Sequence, residues 1–105
     1  MKSSIFASMV IAAFAASAVA DSSDAIENVA ALGAAPHVCG FKVNEAMFEV
    51  ALNANFSDPS DINPGGRHYA ELQRNIQRIK DLTASPDGTR SFCARVSQDM
   101  SAFLD

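Results

Sequence analysis

The sequence predicts an all-α fold: a small helical bundle of three to four helices stapled by one disulfide. Three observations point there. Apolar residues recur at spacings of three and four, not two, through the second half of the chain. Short stretches rich in Pro, Gly, Asn, Asp and Ser separate these segments. The chain has only two cysteines, Cys39 and Cys93, and both lie in the part that reads as exported.

The first element is not part of the bundle. Lys2 supplies a positive charge near the N-terminus. Ile5 to Ala16 is apolar or small apart from Ser8, and Ala18-Val19-Ala20 places small residues before a cleavage point. These are the three parts of a secretory signal peptide, with cleavage expected between Ala20 and Asp21. The apolar stretch is about twelve residues, short of the ~20 that a spanning helix needs. Its short charged region and Ala-rich core are of bacterial type, so the expected destination is periplasmic or secreted. The domain is then 21–105, with no membrane attachment once the leader is removed.

Cleavage changes the charge balance. Loss of Lys2 leaves 7 basic against 12 acidic residues, a net charge of −5. An acidic domain of this size argues against nucleic acid as a partner. Leu, Ile, Val and Phe make up 19 of the 85 remaining residues, close to the ~20% below which chains tend to stay unfolded. A covalent staple is therefore valuable. In an oxidising compartment Cys39 and Cys93 can form only one intramolecular bridge. No C-x-x-C motif supports a redox role.

Along the domain, Asp24 and Glu27 have capping-box spacing. Ile26, Val29 and Leu32 then form a thin, Ala-rich stripe that Gly33 and Pro36 are expected to end. This predicts a short helix or a frayed leader. Asn44 reads as the next N-cap, with Val43 and Phe48 as a hydrophobic staple. Met47, Phe48, Val50, Ala51 and Leu52 predict a helix over Glu45–Asn55 that is buried over a wide face. Ser57–Gly66 is turn chemistry, with Asn63 and Pro64 as a candidate helix start. Tyr69, Leu72, Ile76, Ile79 and Leu82 mark an amphipathic helix over Arg67–Thr83. Ser85-Pro86-Asp87-Gly88 reads as a turn. A last helix starts at Thr89 or Ser91 and carries the stripe Phe92, Val96, Met100 and Phe103 or Leu104. The five phenylalanines Phe41, Phe48, Phe56, Phe92 and Phe103 are expected in the core.

Chemistry is sparse. There is no nucleophile elbow, and the only histidines are His37 and His68. No catalytic residue and no cofactor is expected, and the chain reads as non-enzymatic. Candidate metal ligands are His37, His68, Asp58, Asp61 and Glu71. His68 and Glu71 share a helix face, but one pair does not complete a site, and no metal is expected. Asp61-x-Asn63-x-Gly65 fails as a calcium loop because Pro64 interrupts it and Leu72 stands at the twelfth position. Asn55-Phe56-Ser57 matches a glycosylation acceptor, a triplet that arises often by chance. The basic residues gather between Arg67 and Arg95, opposite seven acids in Asp21–Asp61. Arg67, Arg74 and Arg78 form a candidate binding surface for an acidic partner, or else meet the chain's own acids.

The overall plan of signal peptide, small helical domain and one long-range disulfide is similar to that of the periplasmic acid-stress chaperones. The similarity is one of architecture and implies a role for no individual residue. The expected function is protein–protein binding in the periplasm or outside the cell, with another protein or a second copy as the partner. An acid-stress chaperone and a carrier of small apolar ligands are the alternatives.

Overall fold

A computed structural model describes residues 20–105 of the chain. The signal-peptide reading, apart from Ala20, lies outside the described residues. Four helices and two short 3-10 turns follow in order: α1 (Ser23–Cys39), α2 (Glu45–Asn55), a turn at Pro59–Ile62, α3 (Tyr69–Leu82), α4 (Pro86–Asp99) and a turn at Ser101–Phe103. Among the described residues the only β pairing is an isolated antiparallel bridge between Val43 and Leu104. None of their helices is long and apolar enough to cross a membrane. The all-α bundle with one disulfide is thus the fold the pattern predicts.

Helix α1 departs most from expectation. Its N-cap is Ser22, whose Oγ accepts the Ala25 N–H at 3.1 Å, and Asp24 lies in the first turn. The cap lies two residues earlier than the expected Asp24–Glu27 box, so it meets the Ala25 amide in place of that of Glu27. The helix runs past Gly33 and Pro36 to Cys39. Pro36 removes one hydrogen-bond donor. The last turn is nonetheless closed by Gly40, at φ +73°, whose N–H donates to the Pro36 carbonyl. That conformation suits glycine. The same turn is anchored by the Cys39–Cys93 bridge, with Cα atoms 5.6 Å apart across 54 residues.

The core gathers around α1, which packs against both α3 and α4. Ile26, Val29 and Leu32 are buried, and so are Ala25, Ala30, Ala31 and Ala35. Alanine on several faces lets two neighbours approach one helix closely. From α3 and α4 come Leu72, Phe92 and Val96, with Met100 from the C-cap of α4 and Phe56 from the loop after α2. Phe41, Phe48 and Phe103 are half-buried against this core, so all five phenylalanines pack as expected.

Helix α2 is capped as predicted: Asn44 Oδ1 accepts the Met47 N–H at 3.0 Å. Its expected wide burial does not occur. Only Ala51 and Asn55 are buried, while Met47 is 41% and Val50 63% exposed. The helix is moored at its start by the C-terminal segment. Asn44 N–H donates to the Phe103 carbonyl and Asp105 N–H to the Lys42 carbonyl, both at 2.8 Å. Phe48 and Leu52 turn inward, and the opposite face stays open.

The loop before α3 folds tightly on itself. Gly65 sits at φ +88°, and a Cβ at Gly66 would collide with the Asp61 backbone. Helix α3 consequently starts at Tyr69, after His68 rather than at Arg67, and Asn63 caps nothing in it. Helix α4 starts earlier than expected. Ser85 Oγ accepts the Gly88 N–H at 3.0 Å and Pro86 takes the first helical position. The stretch that reads as a turn is a helix start, because serine before proline supplies both the cap and the fixed φ.

Candidate functional site

Two features of the described residues are built from convergent side chains. The first follows from how α1 sits. Helices α3 and α4 both lie on it and touch each other less, which leaves a cleft between them. Buried Ala31, Phe92, Val96 and Met100 form its inner wall, with Ile79 and Leu82 nearer the solvent. Its volume is about 100 Å³. Arg78, Arg95 and Glu27 line the same cleft. The Arg78 guanidinium donates to Glu27 at 3.3 Å and remains 66% exposed. Leu82 closes the predicted α3 stripe yet is 43% exposed, because this stripe meets a cleft and not a helix at its C-terminal end.

The second feature lies by the start of α3. Asp21 is fixed by its own N–H, which donates to the Asn55 carbonyl at 2.8 Å. Its carboxylate accepts the Ser57 hydroxyl at 2.6 Å and faces His68 Nε2 at 3.2 Å. Asp61 sits in the 3-10 turn, where its carbonyl accepts the His68 N–H at 2.9 Å. Arg67 spans the pair, with Nη2 2.8 Å from Asp61 and 4.0 Å from Asp21. Asp21, Asp61 and His68 can each bring one donor atom within 4.8 Å of the others. Their side chains are 13–17% exposed. The Phe56 ring lies 6.2 Å from that of His68.

This arrangement shifts both acids. The Ser57 hydroxyl bond, more than any other contact, holds Asp21 below its ordinary carboxylate value. Arg67 does the same for Asp61, and Asp61 in turn raises Arg67. Hydrogen bonds and opposite charge favour the ionised forms and outweigh partial burial.

The sequence-derived candidates are thus redistributed. Arg67, Arg74 and Arg78 do not form one surface. Arg67 serves the Asp21–Asp61 pair. Arg74 and Arg78 line a charged depression with Asp24, Glu27 and Glu71, and Arg78 pairs with Glu27 there. His68 is a half-buried member of a polar cluster, and its companions are Asp21 and Asp61 rather than Glu71. His37 is exposed, and its neighbour Cys39 is bound in the disulfide. Ala20 and Asp21 flank the expected cleavage point, Ala20 exposed and Asp21 half-buried. Asn55 is buried, with its amide donating to the Ala51 carbonyl, so the glycosylation triplet is inaccessible in the folded chain. Asp21 is the residue that sequence reading misses. Its partner His68 lies 47 positions away, and nothing local marks the pairing.

Comparison with known proteins finds no match: no family model, no curated protein and no solved structure is similar to this chain at a significant level.

Proposed function

We propose that this is an exported, non-enzymatic protein that acts by binding another protein, and that the α3–α4 cleft receives the partner. The cleft carries the reading. Its lining is mostly apolar apart from Asn75, and its rim sets Arg78 and Arg95 against Glu27, a net positive charge in a domain that is otherwise acidic. Small-molecule sites commonly enclose ~300–1,000 Å³. At about 100 Å³ this cleft suits one aliphatic or aromatic side chain rather than a lipid or a cofactor. At this cleft, that magnitude favours a protein side chain over a carried apolar ligand. A buried apolar anchor supplies affinity at such a contact. That net positive rim favours an anchor flanked by Asp or Glu, which would compete with Glu27 for Arg78, and the charge pattern sets specificity. The Cys39–Cys93 disulfide fits an oxidising destination.

Selection of displayed peptides against the oxidised protein tests this. The expected outcome is enrichment of one large apolar residue beside acidic residues, abolished by Leu82→Glu and unaffected by Val50→Glu on α2. Enrichment that survives Leu82→Glu would contradict the proposal. So would native mass spectrometry showing a stoichiometric small molecule in the purified protein, which would establish the carrier instead.

A further inference from the structure

We infer that Asp21, Asp61 and His68 form a binding site for a divalent transition-metal ion, and that zinc is the ion best matched to the donor set. One imidazole nitrogen and two carboxylate oxygens are standard zinc donors, whereas calcium and magnesium favour oxygen alone. The spacing fits. Donors ~2.0–2.1 Å from a tetrahedral zinc ion lie ~3.3 Å apart, and His68 Nε2 is 3.2 Å from Asp21 Oδ1. All three donors can come within 4.8 Å of one another.

The three ligands come from different segments, and the backbone locks these together. Asp21 is tied to Asn55 and His68 to Asp61 by main-chain hydrogen bonds. The Ser57 hydroxyl holds Asp21 Oδ2, an outer contact of the kind that orients metal ligands. Together these contacts make a site pre-formed on the folded chain.

Without a metal, Arg67 supplies positive charge beside the two acids, together with the Asp21 α-ammonium that the expected cleavage creates. The Arg67 side chain is 64% exposed, and exposed ion pairs are weak, so it can swing into solvent when a dication arrives. Three protein ligands leave one position for water or an exogenous donor. The site lies by the start of α3, whereas Ile79 and Leu82 of the cleft lie near its end. It therefore does not depend on the binding reading above.

Isothermal titration of the oxidised, EDTA-treated protein with zinc chloride tests the assignment. A one-to-one complex is expected for the wild type, and none with calcium. Loss of an outer partner commonly weakens metal binding ~10–100-fold, so Ser57→Ala should cost about tenfold and His68→Gln or Asp61→Asn more than about 100-fold. Arg67→Gln is the discriminating variant. Removing the competing cation should tighten zinc binding by up to about fivefold, as expected for one exposed pair. It also keeps the test sharp if a ligand variant fails to fold. Weaker binding in Arg67→Gln would show the cluster to be a salt-bridge latch. Equal affinity in the wild type and His68→Gln would show adventitious metal only. Either result overturns the inference.

Discussion

Helices α1 and α2 exchange the places that their compositions assign to them. Helix α1 is rich in alanine, has a thin apolar stripe and carries Gly33 and Pro36, yet it is the buried centre of the molecule. Helix α2 carries Met47, Phe48, Val50 and Leu52, yet lies at the edge with Val50 in solvent. Side-chain size explains the exchange. A central helix that touches neighbours on two sides must let both come close, and small residues permit that. Large apolar residues around the whole circumference of α2 would need a neighbour on every side. Among the described residues, neighbours cover only Phe48, Ala51, Leu52 and Asn55 of this helix.

The strongest way to break the comparison is to cut the bridge that ties α1 to α4. For a loop of 54 residues, Cys39→Ser with Cys93→Ser should lower stability by about 4 kcal/mol, read as the shift in urea midpoint. An undiminished midpoint would mean that packing alone holds α1 in place. Truncation within α1 comes next. Ile26→Ala should cost about 3 kcal/mol, because Ile26 is 1% exposed in the core.

Acid probes the polar cluster that pins Asp21 ahead of α1. Asp21 and Asp61 have folded values below their ordinary 3.8, so both contribute stability above that pH. The contribution is lost as the pH falls through their lowered folded values. In EDTA, Asp21→Asn should therefore lower the melting temperature at pH 6 and have less effect near pH 2. An equal deficit at both pH values would contradict the sign. The smallest effect belongs to α2, where Val50→Ala should change stability by less than about 0.5 kcal/mol. A loss comparable to that of Ile26→Ala would mean that α2 is covered in solution, for example by a second copy.

The same contrast shows what was legible in the chain. The all-α class, the disulfide and the Asn44 cap follow from local rules of spacing, pairing and capping, and all three stand. The α3 stripe was legible down to Ile79 and failed only at Leu82, where the cleft opens. Two of the misplaced helix limits, those at Pro36 and Pro86, come from reading proline as a terminator. In α1 a bridged last turn carries the helix past it, and in α4 Ser85 makes it a start. The Asp21 cluster was illegible for another reason. His68, Asp61 and Ser57 reach Asp21 only once the chain has folded back between α2 and α3. The cleft was hidden likewise, since it depends on α3 and α4 both choosing α1 over each other.

The central claim is that the α3–α4 cleft receives a partner's side chain while the exposed face of α2 does not. Methyl-labelled NMR of the oxidised protein, titrated with a peptide selected on the wild type, tests it most directly. The account predicts that the methyl signals of Ile79, Leu82 and Val96 move and saturate together while those of Val50 stay in place. Movement of Val50 with a silent Ile79, Leu82 and Val96 would contradict it, and would assign binding to α2.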